Sequence, residues 1–592
     1  MNMSVSESNA MRDAVRDPIR DPMRDKTQVL IVGAGPAGQG LAIELGHRGI
    51  DCLVIERNPR IGVAPRAKTT NVRTREHFRR WGIADALRDA SPFGVDYPSN
   101  IAFTTRMSGH LLTRFDNALY CAPGRNPLYA EHAQWIPQYT LERVMRQHLE
   151  TLDSVRVQLN CELLGFEQAG GSVVATLRDL ETGVQRQVEA QFLAGCDGGR
   201  SIVREGIGAR MEGKFGLSRN YNIVFHAPGL AQAHPHGRAI MYWQINADVP
   251  SLIGPMDSGD RWFFMPTGLA PDVQVTQDTA AALIRRATGI DLPFEVLSVD
   301  EWVAHQVVAN RYRDRRVFLA GDACHLHPPF GGFGMNMGVS DSVDLGWKLA
   351  AVLQGWGGET LLQSYELERR PVHMHVLQEA VANHAKISNA LFEEGMEDDT
   401  PAGQAVRDRV GNRINAEKLS EFYTLGTILG DRYSDSPVVQ KSESPAVVQR
   451  DFLNYVPSSE PGGRAPHAWL HDGSSLFDHF GTGFTLLALP DISDTSKTSE
   501  TTGALEASML GAVRDAARLG VRLTILQSDT PALPRLYARR LTLIRPDQHI
   551  AWTGDLWPDY DDFDVLAMAT GRESGTTLNT THAKETLHES SS

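Results

Sequence analysis

Residues 28–57 read QVLIVGAGPAGQGLAIELGHRGIDCLVIER. The apolar run from Gln28 to Val32 predicts a strand, and it leads directly into Gly33-Ala34-Gly35-Pro36-Ala37-Gly38. Beyond it Leu41, Ala42 and Leu45 recur at helical spacing, and a second strand, Cys52 to Ile55, ends in Glu56, 18 residues after Gly38. Glycines there allow a tight turn and close approach of backbone to a diphosphate, which sits on the free N–H groups of the following helix. An acid at the end of the second strand receives ribose hydroxyls. Gly33, Gly35, Ala37, Gly38, Glu56 and its neighbour Arg57 are therefore candidate cofactor-binding residues, and the fold class is α/β with a Rossmann-type domain.

A second stretch carries as much chemistry. Residues 315–348, RRVFLAGDACHLHPPFGGFGMNMGVSDSVDLGWK, predict a buried strand over Val317 to Ala320 that ends at Gly321-Asp322, where a carboxylate suits a polyol. Pro328-Pro329 and Gly331, Gly332 and Gly334 then form a loop suited to close approach by a flat ligand. From about Asn336 the spacing of Val339, Val343, Leu349 and Leu353 predicts a helix, with Gly355 as its stop. Its N-terminus favours an anion or a developing negative charge. A third strand, Phe192 to Gly195, ends in Cys196-Asp197-Gly198 with Ser201 and Arg204 beyond, again a phosphate or ribose pattern.

Composition bounds the rest. The chain has 592 residues, so two to four domains are expected, and 42% hydrophobic with 22% charged residues is globular. A formal net charge of −14 argues against nucleic acid as a partner. No apolar run is long enough to span a bilayer, and the first residues lack a signal-peptide core. The five cysteines, at positions 52, 121, 161, 196 and 324, form no CxxC pair, so neither a disulfide framework nor a metal cluster is expected and a reducing cytoplasm fits best.

Taken in order, residues 1–26 repeat Arg-Asp with prolines and read as a solvated tail. Segments 27–101, 138–212 and 300–371 build the nucleotide-binding domain, and 102–137 and 213–299 an inserted β-rich domain, with strands over Tyr221 to His226, Ile240 to Ile245 and Trp262 to Met265. Residues 372–445 read as a polar helical connection, and 446–570 as an α/β module with strands at Phe484 to Leu489, Leu519 to Gln527, Leu541 to Ile544 and Ile550 to Trp552 around a helix at Leu505 to Ala517. Residues 571–592 lack apolar periodicity and read as a disordered end.

Three motifs in this order, Gly33 to Gly38 with Glu56, Cys196-Asp197-Gly198 with Arg204, and Gly321-Asp322 with its proline and glycine loop, resemble those of the single-component flavoprotein aromatic hydroxylases, the family of p-hydroxybenzoate and phenol hydroxylases. The resemblance spans about residues 27–400, and the C-terminal module resembles the thioredoxin-like domain of the phenol hydroxylase branch. It implies an FAD-dependent monooxygenase in which NADPH or NADH reduces FAD, O2 forms a flavin hydroperoxide, and a phenolic aromatic substrate is hydroxylated, in aromatic compound catabolism. It further implies that Glu56, Arg66, Gln138, Asp197, Arg204, Gly321 and Asp322 serve FAD, that Pro329 and Gly334 lie by its ring, and that the backbone of Met335 and Asn336 meets the pyrimidine edge. In the inserted domain, whose strands face the flavin in that family, His226, Tyr221 and Tyr242 are the candidate substrate contacts, beside Pro329.

The departures are specific. Relatives of the phenol hydroxylase type carry an acid after the Arg-Ala pair, where this chain has Lys68, so the phenol-deprotonating group is not carried over. The C-terminal module has no cysteine, which excludes dithiol chemistry. A flavin-dependent halogenase is disfavoured because Trp135-Ile136-Pro137 supplies only one tryptophan of that family's signature. A non-oxygenating FAD oxidoreductase, or a flavin-binding sensor without turnover, stays as the alternative, and the oligomeric state, a homodimer included, stays open.

Overall fold

The computed structural model describes residues 26–59, 67–270, 273–329, 331–385, 391–441, 451–490, 499–559 and 561–573. The expected N-terminal tail, most of the C-terminal one, and Arg66 lie outside the described residues. Lys26 itself already belongs to the first strand.

The strand Lys26–Val32 lies inside an eight-stranded sheet, between Gln185–Gly195 and Cys52–Ile55, with Val317–Leu319 and Val155–Gln158 outside these, and all five strands run parallel. Val29, Leu30 and Ile31 are fully buried, as a sheet covered on both faces requires. The helix Pro36–Gly46 packs against both Phe333–Leu353 and Gln138–Leu149. An antiparallel hairpin, Cys161–Ala169 with Ser172–Asp179, extends the strand Gln185–Gly195. The order brings the carboxyl ends of three strands together, where Cys196 N–H donates to Val32 O at 2.8 Å and Ala320 N–H to Gly195 O at 3.0 Å. That crevice is where sheets of this kind bind ligands.

The inserted residues form a second eight-stranded sheet together with Ile101, Met211, Glu212, Asp300 to Ala309 and His325–Leu326 of the segments expected in the nucleotide-binding domain, ordered His325–Leu326, Glu295–Ala309, Met211–His226, Arg261–Pro266, Ser251–Pro255, Met241–Gln244, Ile101–Thr104 and Leu111–Phe115. Its two faces bury different sets of side chains. One packs Tyr221, Ile223, Phe225, Tyr242, Trp262 and Phe264 with Ile284 of the helix Gln277–Thr288. The other packs Phe103, Val224, Trp243, Leu252 and Phe263 with Phe333 and Met337 of the helix Phe333–Leu353.

Three expected boundaries shift. The helical connection begins earlier, at Glu359–Ala385, continues as Pro401–Phe422 and Leu425–Leu429, and ends at Gly430. The following Ser434-Asp435-Ser436-Pro437 favours turns over helix, so Asp431 to Lys441 is irregular. The long helix starts at Phe333 rather than Asn336, because Gly332 takes φ +68° and sets the turn. In the C-terminal module the strand begins at Leu523, since Gly520 at φ +68° closes the helix Ser499–Leu519.

That module is a four-stranded sheet, Leu523–Gln527, Phe484–Ala488, Leu541–Ile544 and Ile550–Gly554. Among the described residues no helix is long and apolar enough to cross a membrane.

Candidate active site

The glycines close one end of the crevice and leave the other open. A Cβ on Gly33 would lie 2.4 Å from Cys196 O, and one on Gly38 would lie 1.9 Å from Gly33 O, so any larger residue forces the strand and helix apart. At Gly35, the N-cap of the helix Pro36–Gly46, a Cβ meets nothing within 4 Å, and no side chain caps the helix. Free N–H groups thus face open space, as an anion requires. The Glu56 carboxylate closes this end, accepting from Ala34 N–H and Asn58 N–H, each at 2.9 Å, while Arg57 is exposed beside it.

Gly321 crosses the same helix. Its φ is +63°, and a Cβ there would lie 2.9 Å from the Ala37 Cβ, which fixes how closely the two segments pass. Asp322, next in the chain, is exposed. The segment is held from below by Asp341, fully buried on the helix Phe333–Leu353: one carboxylate oxygen accepts from Gly321 N–H and His325 Nε2, each at 3.0 Å, and the other from Arg369 Nε at 2.8 Å. His373 Nε2 lies 2.8 Å from that second oxygen. Burial works to raise the Asp341 pKa, but His373 and Arg369 outweigh it and hold the carboxyl well below its usual range.

Asp197 and Arg204 are also braces. Asp197 accepts from Ser201 Oγ at 2.5 Å and Val203 N–H at 3.1 Å, and the Arg204 guanidinium donates to Gly199 O at 2.9 Å and Ala323 O at 3.1 Å. Their side chains therefore brace the two loops that line the crevice.

At the second helix N-terminus the turn Pro329 to Gly332 is closed by Gly332 N–H to Pro329 O at 3.1 Å, with Pro329 exposed. Gly334 has nothing within 4 Å of its Cβ position, and again no side chain caps the helix. Met335 packs partly against the nucleotide domain core. The Asn336 side chain is spent internally: its oxygen accepts from Asn71 N–H at 2.9 Å and its amide donates to Thr69 O at 2.9 Å and Gly332 O at 2.7 Å. Gln138 starts its helix with its N–H on Ala67 O at 2.9 Å and its amide on Glu142 at 2.7 Å. Two open, uncapped helix N-termini on either side of the Gly321 crossing fit a long ligand with a diphosphate at one end and a flat, electron-accepting ring at the other.

The substrate-contact expectation needs correction at Tyr221 and Tyr242. Tyr221 and Tyr242 lie on the face of the inserted sheet covered by the helix Gln277–Thr288, because strand alternation puts their neighbours Asn222 and Trp243 on the inner side. Their hydroxyls donate to Val273 O at 3.1 Å and Gly237 O at 2.5 Å. His226 ends its strand, opposite Arg261 and Glu295. The inner face is instead built on Phe103 stacked against Trp243, at 5.5 Å between centroids, with Val224, Leu252 and Phe263 beside them. Lys418, paired with Glu421 at 2.8 Å, lies over Trp243. The alternation signal that separates Trp243 from Tyr242 was present in the sequence, but which face meets the nucleotide domain was not.

The C-terminal module reaches the site from behind. Arg545 donates to Glu368 and Asp344, and Lys348 Nζ lies 2.9 Å from Asp344 and 2.6 Å from Glu368. Asp344, Glu368 and Asp547 are close enough to share a metal ion, but these two cations already sit on them.

A family model described as an FAD binding domain matches residues 26–380, and one described as the C-terminal domain of aromatic-ring hydroxylases matches residues 458–573. A putative polyketide hydroxylase of Streptomyces halstedii is 30% identical over 89% of this chain and 93% of its own length. The 4-methyl-5-nitrocatechol 5-monooxygenase of a Burkholderia species is 31% identical over 88% of this chain and 93% of its own. Among solved structures, the rebeccamycin biosynthetic enzyme RebC with reduced flavin has a TM-score of 0.81 at 33% identity, covering 93% of this chain and 99% of that one.

Proposed function

Because the chain belongs to the FAD-dependent aromatic-ring hydroxylases, a family of monooxygenases, we propose that it hydroxylates a phenolic compound with O2 and with NADH or NADPH as reductant. FAD, when bound and reduced, supplies the activation of O2 and the transfer of one oxygen atom to an electron-rich ring. What the chain contributes is binding, orientation and exclusion of water. In this reading Glu56 receives the ribose hydroxyls and the open helix end at Gly35 the diphosphate, while Asp322 takes a hydroxyl of the linking polyol.

The N–H groups at Gly334 to Asn336 stabilise negative charge on the ring edge, and Pro329 borders the ring. Asp341 keeps Gly321 and hence Asp322 in place. The face of Phe103, Trp243, Leu252 and Phe263 supplies an apolar wall on which an aromatic substrate lies away from water. The lack of CxxC pairing among the five free cysteines supports a reducing cytoplasm as the working compartment.

The observation that carries the reading is the meeting of two uncapped helix N-termini at the Gly321 crossing, facing an apolar sheet face. The test is oxidation of NADH or NADPH by the FAD-loaded protein under 18O-labelled dioxygen with a panel of phenols. Substrate-dependent oxidation with one labelled atom in the product is expected. Oxidation that releases only hydrogen peroxide, with every phenol recovered unchanged, overturns it.

A further inference from the structure

The inner face of the inserted sheet is apolar, yet Lys68 reaches it. Its Nζ lies 3.9 Å from the centroid of the Phe263 ring. Lys68 is half-buried, whereas the fully buried lysines described above sit on carboxylates, Lys348 on Asp344 and Glu368, and Lys418 on Glu421. Lys68 forms no ion pair or hydrogen bond with a side chain among the described residues. The ring attracts an ammonium but carries no formal charge, and a ligand bringing a negative oxygen would supply the counter-charge that the described residues do not.

Its placement is fixed on both sides. Ala67 O and Lys68 O accept from Gln138 N–H at 2.9 Å and Ile136 N–H at 2.7 Å. The next residue, Thr69, gives its carbonyl to Asn336 and lies 3.2 Å from the Cβ position of Gly332. Lys68 therefore stands between the N-terminus of the long helix and the aromatic face. A second polar group belongs to this face: Asn222, 8% exposed, stands two residues from Val224, whose ladder partner is Phe263, and its side-chain oxygen has no hydrogen-bond partner.

We propose that Lys68 receives the ionisable oxygen of the aromatic substrate, taking the phenolic proton as the neutral amine and then holding the phenolate as the ammonium, with the Asn222 side chain as a second polar contact that accepts from the neutral phenol. The O–H bond breaks and an N–H bond forms on Nζ. The electron pair stays on oxygen and spreads into the ring, raising electron density at the ortho and para carbons where oxygen is added. This rests on the monooxygenase reading above and names its substrate class, an acidic phenol. Burial lowers the Lys68 pKa to about 8, with no charged neighbour contributing, so the amine exchanges its proton near neutrality. Arg261 and His226, on the strands that carry Phe263 and Val224, Tyr139, on the helix that begins at Gln138, and Lys418 with Glu421 over Trp243 are titratable groups of this face, and none adds to that shift.

The holoenzyme is titrated with 4-nitrophenol below the pKa of the free phenol, and separately with 4-nitrobenzoate, and the bound spectrum is read by difference from the flavin. Wild type is expected to show bound nitrophenolate. Lys68→Met is expected to bind the neutral phenol with affinity reduced about tenfold or more, with its flavin spectrum and melting temperature kept. Lys68→Arg is expected to hold nitrophenolate as wild type does, because its guanidinium keeps the charge, yet to lose hydroxylation rate about tenfold or more near neutrality, because a guanidinium cannot take up the phenolic proton.

Should Lys68→Met fold poorly, labelling of wild-type Lys68 by acetic anhydride, mapped by mass spectrometry, is expected to be suppressed by 4-nitrophenol. A nitrophenolate spectrum that persists in Lys68→Met, unprotected labelling, or a wild type that binds neither probe overturns the proposal. Lysine-dependent binding of 4-nitrobenzoate alone assigns the site to carboxylates and overturns the proton transfer. Labelled product formed by Lys68→Met at the wild-type rate sinks this inference and leaves the hydroxylase assignment standing, whereas failure of the 18O experiment in wild type removes that assignment itself.

Discussion

Arg545, on the loop between two strands of the C-terminal sheet, donates to both oxygens of Glu368 at 2.7 and 2.8 Å, inside the helix Glu359–Ala385, which lies outside the C-terminal module. Both side chains are fully buried, and Asp344, Asp547 and Lys348 complete the group. Because the helix that bears Asp344 also presents its N-terminus to the candidate site, the C-terminal module and the cofactor region share one electrostatic unit.

Arg545→Met is therefore expected to destabilise the whole chain by about 3–5 kcal/mol, the scale for leaving buried carboxylates without their cation. Urea unfolding of the holoenzyme followed by flavin fluorescence checks this. Loss confined to the C-terminal module, with FAD retained to the wild-type midpoint, would contradict it.

The same group predicts a pH dependence. Burial raises the Glu368 pKa, but Arg545 and Lys348 outweigh it and bring it down to about 2. A carboxyl lowered on folding contributes stability that is complete above its unfolded value of about 4.3 and is lost as pH falls toward the folded value. The stability difference between wild type and Glu368→Gln should accordingly be constant from neutrality to about pH 5 and shrink below it. A difference that grows on acidification is the contrary outcome.

Gly35→Val separates fold from cofactor. Open space around the Cβ position lets the chain fold at a capping cost of about 1 kcal/mol, yet the added side chain takes the place of a diphosphate. FAD affinity, by fluorescence titration of the apoprotein, is expected to fall about tenfold or more while the far-ultraviolet spectrum is unchanged. Asp322→Ala, which removes a charge-assisted hydrogen bond, is expected to weaken FAD by roughly 1.5–3 kcal/mol. Wild-type affinity in both variants would take Gly35 and Asp322 out of the cofactor site.

Tyr242→Phe tests the two faces of the inserted sheet. Loss of its bond to Gly237 O is expected to cost about 1 kcal/mol of stability and to leave KM for the phenol as it was. A raised KM with unchanged melting temperature would return Tyr242 to the substrate side.

The motifs that could be read from residue order were those whose chemistry is local. Gly33 to Gly38 and Glu56 declare a turn, a helix start and a ribose acceptor within 24 residues, and the structure has that strand, helix and strand at those positions. What the sequence hides is partnership between distant segments. Asp341 reads as one acid early in a helix, and only the fold brings Gly321, His325, Arg369 and His373 onto its two oxygens. Arg204 reads as a phosphate ligand, and only the fold shows that its guanidinium also ties Gly199 O to Ala323 O. Tyr242 and Trp243 are adjacent in sequence and pack on opposite faces of the sheet, since period-two alternation tells which residues share a face but not which face looks inward.

The cluster around Arg545 also sets rules for recombination. An engineer who joins the first 450 residues of this chain to the C-terminal module of a relative cuts between partners that never appear near one another in an alignment. The inherited unit is not the module but the set Asp344, Lys348, Glu368, Arg545 and Asp547, so a crossover succeeds only where both parents carry matching charges at all five positions.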